Sequence, residues 1–370
     1  MAMTVRDIGS LIESWAPKEA AWEEDNVGLQ CGDATQEVRS LLVSLDPSEA
    51  AAAEAVRRSV QMLITHHPLL FHPARRIEVQ SSMGRILQRL LSSRISLYSA
   101  HTNLDASPAG TNTALAQALQ LVDAQVLIPM RNVQKKFVTF VPASHADAVA
   151  DALSRAGAGM IGNYERCSFR GEGVGTYRGN TASHPAIGSA ETFERTPEIR
   201  IEMIVPQWSV SRVIDALRGS HPYEEPAYDI YPLDNPHPAY GMGVVGDLRR
   251  PSSLGFYLKT VKRQLGVPTL RHSPDTGRRV RRVAACGGSG GRLLEDAFRS
   301  GADVFVTADV SYHTFQNAAG RIVVVDAGHF ETENPVVAAL AVRLRKEFQR
   351  RNERIAVRTA SAPTNPVRYV

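Results

Sequence analysis

Three short stretches of the sequence carry the side chains best suited to chemistry. They read Thr-His-His-Pro at residues 65–68, His-Thr-Asn-Leu-Asp at 101–105 and His-Phe-Glu-Thr-Glu at 329–333. Each follows a hydrophobic run that is typical of a strand. Neutral imidazole nitrogens and carboxylate oxygens together suit divalent ions such as zinc, iron, manganese or nickel. The sequence therefore predicts a metal site at the ends of strands.

The candidate ligands are three histidines and two acids, namely His66, His67, Asp105, His329 and Glu333. Neighbouring residues of a strand point to opposite faces, so His66 and His67 can share a site only where the strand ends, at the turn that Pro68 supplies. Five ligands exceed what one tetrahedral ion with an open position takes, and a carboxylate such as Glu333 can bridge two ions. We therefore expect two divalent ions, zinc, iron or manganese.

A pair of divalent ions predicts hydrolysis as the chemistry of the site. Two cations about 4 Å apart lower the pKa of a bridging water towards neutrality and stabilise the oxygens that enter and leave in a displacement. The position of His101 leaves three roles open: a sixth ligand, a general base, or a residue that orients a ligand. His313, which follows a later strand, is a second candidate for moving protons.

A glycine-rich segment, residues 287–291, joins a predicted strand to a predicted helix. Backbone amides at a helix N-terminus can bind an anion, and the candidate residues here are Gly288, Ser289 and Gly290. The segment lacks the Lys-Ser/Thr pair of a P-loop, which argues against a nucleotide triphosphatase of that class. A tight turn without a ligand is the alternative interpretation.

Strands and helices alternate on both sides of these residues, which indicates βαβ units and a largely parallel sheet. The first third predicts helices over 5–15, 48–58 and 83–91 and strands over 40–45, 62–65 and 95–99. The last third repeats the plan with strands over 283–286, 304–307 and 322–325 and a helix over 292–299. Aligning the two thirds places His101 and Asp105 opposite His329 and Glu333, which indicates a duplicated α/β core.

The middle of the chain has a different organisation. It predicts strands over 136–142, 164–169, 173–177, 199–205 and 227–231 and helices over 145–155 and 209–217. This order resembles the βαββαβ plan of a ferredoxin-like α+β module. We therefore expect residues 1–127 and 241–370 to form the two halves of the metal core domain, with 128–240 as an insertion.

Composition narrows the class of protein. The chain has 370 residues and a formal net charge of +4, and it contains no apolar run long enough to span a membrane. Its first residues have the pattern of an amphipathic helix rather than a signal peptide, so we expect a cytoplasmic protein without membrane contact. The three cysteines stand far apart and predict no disulfide framework. The short arginine clusters are typical of solvated faces, which argues against a nucleic-acid partner.

Several longer stretches resemble a known family, the Nif3-like dinuclear-metal-centre proteins named GTP cyclohydrolase 1 type 2 homologs. The matching stretches are DNVGLQCGD at 25–33, ITHHPLLF at 64–71, SAHTNLD at 99–105, CGGSGG at 286–291, GADVFVTADVSYH at 301–313 and DAGHFETE at 326–333. The inserted segment is similar to the CutA-like or PII-like domain of the longer family members.

The resemblance implies a duplicated three-layer αβ core, with the metal ligands at His66, His67, Asp105, His329 and Glu333 and with His101 close by. It also implies self-association into a homohexamer, a trimer of dimers with the metal sites facing an internal cavity. Likeness to a family is a better guide to the position of a site than to the substrate that the site binds.

Three functions follow as hypotheses. The leading one is a metal-dependent hydrolase of a small nucleotide-like or phosphorylated substrate, as the cyclohydrolase name of the family suggests. The alternative is a non-catalytic, metal-responsive hexameric scaffold or regulatory protein whose inserted module mediates contacts. Nucleic-acid binding through a basic cavity has the weakest support, because the net charge is modest for this length.

Overall fold

The structure is a computed structural model that describes residues 2–362 and 364–368. The chain divides into two compact units, a larger one of Met1–Pro129 with Ala239–Val370 and a smaller one of Met130–Pro238. The smaller unit therefore interrupts the larger one along the chain. None of the described helices combines the length and the apolar character that crossing a membrane requires.

Strands and helices are numbered here in chain order over the described residues. The strands are β1 (Gly28–Cys31), β2 (Ser40–Ser44), β3 (Met62–Thr65), β4 (Ser96–Ser99), β5 (Val122–Pro129), β6 (Gln134–Pro142), β7 (Phe169–Arg178), β8 (Phe193–Pro206), β9 (Tyr228–Leu233), β10 (Gly241–Ser252), β11 (Arg271–His272), β12 (Val280–Ala285), β13 (Val304–Thr307), β14 (Val323–Asp326) and β15 (Ala356–Thr359). The helices are α1 (Val5–Glu13), α2 (Glu49–Arg57), α3 (Ser82–Ser92), α4 (Thr102–Ala106), α5 (Thr111–Ala118), α6 (Ala146–Arg155), α7 (Val210–Ser220), α8 (Leu254–Leu265), α9 (Leu294–Arg299), α10 (Tyr312–Ala318), α11 (His329–Glu333) and α12 (Pro335–Arg350).

The first sheet of the larger unit has the strand order β1-β4-β3-β2-β15. Its strands are parallel except β1, which pairs antiparallel with β4. β2, β3 and β4 are buried along almost their whole length, as expected for parallel strands that are covered on both faces. Ile64 packs with α1 and α12 on one face, and Leu63 packs with α2 and α3 on the other.

The second sheet has the order β11-β14-β13-β12-β10-β5. β12, β13 and β14 are parallel, and antiparallel strands flank them on both sides. Val306 packs with Leu115 of α5 and Tyr257 of α8 on one face, whereas Phe305 packs with Leu294 of α9 on the other. Both sheets are therefore middle layers between helices.

The two sheets share one strand plan. In each, three parallel strands lie side by side in chain order, and a strand that precedes them in the chain pairs antiparallel with the third. The carboxyl ends of β3 and β4 in one sheet thus correspond to those of β13 and β14 in the other. This correspondence is the structural counterpart of the repeat that the sequence indicates.

Each of the two chain segments that form the larger unit ends with a strand that joins the sheet built mainly by the other segment. β5 joins the second sheet although it precedes the smaller unit, and β15 and α12 join the first sheet and its core although they end the chain. The two expected halves of the core domain, residues 1–127 and 241–370, therefore each contribute strands to both sheets. An edge strand has the same periodicity whichever sheet it joins, so sequence alone could not assign these strands.

The smaller unit is a four-stranded antiparallel sheet of order β7-β8-β6-β9 with α6 and α7 packed on one face. Its βαββαβ chain order and its strand order are those of a ferredoxin-like arrangement. The structure has the single strand β7 where the sequence suggested two strands over 164–169 and 173–177. Pairing with the long neighbouring strand β8 sets these bounds, and local composition does not reveal that pairing.

Helix starts coincide with capping side chains in the sequence. Thr4 and Asp7 form a reciprocal capping box at α1, and Ser48, Ser81 and Ser253 each accept an N–H from the first turn of α2, α3 and α8. Such a cap stabilises a helix by about 1 kcal/mol relative to alanine. Four helices that cover the two sheets, α1, α2, α3 and α8, therefore begin where the sequence provides a capping oxygen, whereas α5, α9 and α12 have no side-chain cap.

Candidate metal centre

The predicted histidine ligands lie at the carboxyl ends of parallel strands in the larger unit. β3 ends immediately before His66 and His67, β4 ends two residues before His101, and β14 ends three residues before His329. β3 and β4 are adjacent and in register, so the first three imidazoles emerge from one sheet edge. Polar side chains gather there because the chain leaves each parallel strand at the same edge.

Two short helices carry the predicted acids. α4 contains Asp105, and α11 runs from His329 to Glu333. The four-residue spacing on α11 places its two site residues on one face of the helix. Nε2 of His329 consequently lies 3.1 Å from Oε2 of Glu333.

Six side chains converge in one cluster: His66, His67, His101, Asp105, His329 and Glu333. The ligand atoms of His66, His67 and His101 all lie within 4.8 Å of one another. Those of His67, His329 and Glu333 form a second group of the same size. Oδ1 of Asp105 lies 3.5 Å from Nε2 of His66. The structure therefore brings together all five predicted ligands and His101.

The carboxylate of Glu333 lies between the histidines. Its Oε1 is 4.0 Å from Nε2 of His66, whereas its Oε2 is 2.9 Å from Nε2 of His67. Glu333 is buried, so water does not screen these contacts well. A carboxylate whose two oxygens face different histidines has the arrangement that a bridging ligand needs.

Two buried ligand atoms of the cluster, Nε2 of His66 and Oδ1 of Asp105, have no hydrogen-bond partner. Oε2 of Glu333 is buried beside them and contacts Nε2 of His67 and Nε2 of His329. Leaving a buried polar atom unsatisfied costs about 1–3 kcal/mol. Nδ1 of His66 lies 2.9 Å from the carbonyl oxygen of Ala100, so it carries the proton and leaves a lone pair on Nε2. Lone pairs on nitrogen and oxygen that face one small volume are what a divalent cation requires, and the cluster could hold a metal ion.

Carboxylates behind the cluster orient three of its imidazoles. Nδ1 of His67 contacts Asp46 at 2.7 Å, and Nδ1 of His329 contacts Asp309 at 2.6 Å. Nδ1 of His101 lies 3.0 Å from both carboxylate oxygens of Asp25. An acceptor at Nδ1 fixes the ring and directs Nε2 into the site, as in histidine metal sites generally.

Sequence reasoning missed the roles of Asp25 and Asp46. A signal existed for each, because Asp25 opens one of the stretches that carry the family resemblance and Asp46 follows the end of β2. β2 is the neighbour of β3, so its carboxyl end lies beside that of the strand before His66 and His67. The rule that polar residues gather at strand ends therefore applied to β2 as well.

The pKa values of the imidazoles differ with their partners. Burial lowers the pKa of His66. Burial also opposes the charged form of His67, but its contacts with Asp46 and Glu333 outweigh this effect and raise the pKa of His67 to about 10. Contact with Glu333 raises the pKa of His329 to about 9. A cation that binds Nε2 of His67 or His329 must therefore displace a proton at neutral pH.

The acids respond to the same neighbours. Burial raises the pKa of Asp105. Burial alone would raise the pKa of Glu333, but its contacts with His329 and His67 lower it overall. Burial likewise opposes ionisation of Asp25, yet its bonds with His101 and Thr102 bring the pKa of Asp25 down to about 2. The carboxylate behind His101 is thus ionised at neutral pH.

In the glycine-rich segment, the amides of Gly288 and Gly290 are hydrogen-bonded within the fold. The N–H of Gly288 donates to Oγ1 of Thr332, and the N–H of Gly290 donates to Oγ1 of Thr307. The hydroxyl of Ser289 donates to Asp309. The segment is therefore held as a turn beside the cluster, and anion binding by Gly288, Ser289 and Gly290 stays a prediction.

His313, the second predicted proton carrier, lies outside the cluster. It is on α10, its side chain is exposed, and its ring contacts that of Tyr312. Its strand-end position in the sequence suggested the site, but α10 begins with a cap at Ser311 and carries His313 to the surface. Of the two predicted proton carriers, only His101 faces the ligands.

A cavity of about 210 Å³ opens onto the cluster. His101, Asp105 and Glu333 form part of its lining, and Trp22 and Arg292 form another part. The guanidinium carbon of Arg292 lies 4.0 Å from the centre of the Trp22 ring. Stacking on an aromatic face leaves the N–H groups at the guanidinium edge available for an anion. This pair is a candidate anion site that the sequence did not indicate.

Fold and site together define an α/β protein with a buried cluster of histidines and carboxylates at the carboxyl ends of its strands. The chain belongs to the Duf34/NIF3 family (NGG1p interacting factor 3), whose family model matches residues 3–366. The resemblance seen in the sequence is thereby confirmed.

Relatives and solved structures agree with this assignment. A protein of Halalkalibacterium halodurans named GTP cyclohydrolase 1 type 2 homolog is 37% identical over 362 residues, which are 97% of each chain. A protein of the same name from Bacillus subtilis is 37% identical over 327 residues, or 88% of each chain. The crystal structure of a Bacillus cereus protein related to NIF3 superposes with a TM-score of 0.89 at 37% identity, covering 100% of both chains.

Proposed function

We propose that this protein binds two divalent metal ions and is a metal-dependent hydrolase of a small nucleotide-like or phosphorylated substrate. The observation that carries the proposal is the convergence of buried ligand atoms from His66, Asp105 and Glu333 on one volume, where those of His66 and Asp105 have no hydrogen-bond partner. The name of the relatives, GTP cyclohydrolase 1 type 2 homolog, supports the reaction class.

The five predicted ligands would hold the ions, with the carboxylate of Glu333 between the histidines. Two divalent ions, when bound, lower the pKa of a water towards neutrality and stabilise negative charge that develops on oxygen. Zinc, iron and manganese all suit imidazole and carboxylate ligands. Asp25, Asp46 and Asp309 would keep the Nε2 atoms directed inwards throughout the reaction.

The chain itself would bind the substrate and move the proton. Arg292, stacked on Trp22 in the wall of the cavity, would bind an anionic group such as a phosphate. His101, whose Nδ1 is held by the ionised Asp25, is the residue that we propose takes up or releases a proton beside the ligands. A cavity of about 210 Å³ fits only the reacting part of a nucleotide, so the rest would lie outside it.

The test is turnover by protein loaded separately with zinc, iron or manganese. A panel of nucleotides that includes GTP, together with small phosphate esters, is assayed with the native chain, His66→Ala and the control His145→Ala. His145 is an exposed residue of the smaller unit. We expect one substrate class to be hydrolysed by the native chain and the control only. Equal rates for all three chains on every substrate reject the proposal.

A second candidate function is a non-catalytic, metal-responsive scaffold or regulator that acts as a homohexamer, a trimer of dimers, in the cytoplasm. Exposed apolar side chains of the smaller unit favour it, since such surface often marks contacts between proteins. They include Met160, Ile161, Tyr164, Phe169, Val174 and Phe193. The likeness of this unit to CutA and PII-type modules, which we also propose, is part of this second candidate function.

Native mass spectrometry with and without a chelator tests the scaffold. We expect a hexamer whose mass or stability changes when metal is removed, while no substrate of the panel turns over. A hexamer and a partner set that are the same in both conditions would reject the metal-responsive role.

A further inference from the structure

The smaller unit contains a cavity of about 620 Å³ on one face of its sheet. Ile201, Met203 and Val205 of β8 pack against the helices on the other face. Side chains alternate along a strand, so Glu198 and Arg200 of β8 point away from the helices and into the cavity lining. The cavity is therefore separate from the hydrophobic core of this unit.

Glycines of the edge strand β7 provide the space. Gly173 and Gly175 pair with Glu198 and Thr196 of β8, so they lie on the same face as the cavity. A Cβ added at Gly173 would meet no atom within 4 Å, whereas one added at Gly175 would clash with the carboxylate of Glu198. The missing side chains leave a trough, and the Glu198 carboxylate lies over its floor.

Glu198 is a buried carboxylate without a cation. It is only 9% exposed, and the hydroxyl of Tyr223 donates to its Oε1 at 2.8 Å. Over the described part of the chain, no lysine, arginine or histidine forms an ion pair with it. Burying an unneutralised carboxylate is costly, so this residue indicates a ligand with the opposite charge.

The two arginines in the lining are engaged elsewhere. Nε of Arg200 contacts the carboxylate of Glu202 at 3.0 Å. Nε of Arg178 donates to the carbonyl oxygen of Glu191 at 2.9 Å. Three further glutamates line the cavity, Glu172, Glu224 and Glu225. The local balance of charge is therefore negative.

Aromatic rings form the wall beside Glu198. The ring centres of Tyr177 and Tyr223 are 6.0 Å apart in an edge-to-face arrangement. The hydroxyl of Tyr177 donates to the carbonyl oxygen of Ile187 at 2.6 Å, which fixes that ring, and Phe140 contributes from β6. Aromatic faces next to a carboxylate are the combination that recognises organic cations.

We propose that this cavity binds a small organic cation, an amidine, guanidine or amine with a flat apolar body. Its charged group lies against Glu198, and its body lies in the trough over Gly173 beside the two tyrosines. The inference is independent of the metal centre and of hydrolysis, because every residue that carries it belongs to the smaller unit. It assigns to this unit the binding of a small molecule.

The test uses benzamidine and its neutral isostere benzamide with the full-length protein in titration calorimetry. We expect benzamidine to bind at least about tenfold more tightly than benzamide, a difference of about 1.4 kcal/mol. Glu198→Gln should abolish that preference. Gly173→Val, which fills the trough with a residue that strands favour, should abolish binding of both probes. The control Asp229→Asn removes an exposed carboxylate of β9 and should bind benzamidine like the native chain.

Circular dichroism and native mass spectrometry of each variant complete the test. Equal affinity for the two probes, no binding of benzamidine to the native chain, or native affinity in folded Gly173→Val overturns the proposal. A change of oligomeric mass in Gly173→Val, combined with no benzamidine binding to the native chain, identifies the trough as a contact between copies and also overturns it. If Gly173→Val does not fold, the preference of Glu198→Gln for benzamidine over benzamide decides the test.

Discussion

Nδ1 of His67 lies 2.7 Å from Oδ1 of Asp46, a residue 21 positions earlier in the chain. Asp46 follows β2 and His67 follows β3, and these strands are parallel neighbours. The contact fixes the tautomer and the orientation of a predicted ligand through a residue that is not itself a ligand. Asp25 and Asp309 stand in the same relationship to His101 and His329. Metal affinity should therefore depend on this outer set of carboxylates.

The first prediction concerns Asp46→Asn. We expect the affinity for zinc to fall by about 10–100-fold, because the imidazole of His67 loses the charged acceptor that holds it. Competition with a chromogenic chelator measures the affinity. The control is Asp275→Asn, which alters an exposed carboxylate whose acceptor role is local to its own turn. An Asp46→Asn protein with the affinity of the control contradicts the outer-carboxylate argument.

The second prediction concerns the number of ions. If the chain binds the two ions that we propose, Glu333→Gln should reduce the metal content to one ion or none, because a neutral amide bridges two cations poorly. Glu331→Gln is the matched control, since Glu331 is also buried on α11 but contacts Asn365 instead of the cluster. Elemental analysis after gel filtration gives the count. Two ions in both variants speak against Glu333 as the bridge.

The third prediction concerns protons released on metal binding. His67 and His329 have pKa values of about 10 and about 9, so both are protonated at pH 7.5 before metal binds. Binding through Nε2 should then release about two protons per chain, and the affinity should rise with pH up to about 9–10. Titration calorimetry in buffers of different ionisation enthalpy counts the protons. Heats that are identical in all buffers contradict the expectation.

The fourth prediction concerns the stability of the chelator-treated protein. The pKa of His67 rises from 6.5 to about 10 on folding, so its contribution to stability is present in full below pH 6.5. That contribution is lost as the pH rises through about 10. Thermal unfolding between pH 6.5 and 10 should therefore show a falling Tm, and His67→Gln should flatten the fall. Parallel curves for the two chains oppose this assignment.

The fifth prediction concerns the turn beside the cluster. Gly288 has a φ of +60°, and a Cβ there would clash with the carboxylate of Glu333. Gly288→Ala should destabilise the protein by about 1–3 kcal/mol and lower its metal content. At Gly291 the nearest atom to an added Cβ is 3.6 Å away, so Gly291→Ala is the control. Thermal unfolding and elemental analysis compare them, and equal values for both contradict the packing argument.

Much of the fold could be predicted from periodicity. The buried strands β2, β3, β13 and β14 are made mostly of consecutive apolar residues, and several helix starts are marked by capping residues such as Ser48. Strands that are defined mainly by pairing with residues far away in the sequence were not predicted. β1, β5 and β10 are mostly half-exposed or irregular in burial, so local patterning did not distinguish them from loops.

The candidate site shows the same division. His66, His67, Asp105, His329 and Glu333 could be selected in advance because their types suit a divalent cation and each follows a strand. His313 met the same criteria, and only the course of α10 carries it to the surface. From the sequence, the amides of Gly288 and Gly290 could be expected to bind an anion. In the fold, both amides donate hydrogen bonds to threonine hydroxyls instead.

The sequence by itself determined the ligand types, the buried strands that end at them and the family to which the chain belongs. The tertiary structure alone decided that Glu333 stands between the histidines, that Asp25 and Asp46 hold two of their rings, and that β15 returns to the first sheet. The physical reason lies in the range of the forces involved. Residue type and periodicity act within a few positions along the chain, whereas a hydrogen bond between side chains requires a distance that only the packing of whole sheets establishes.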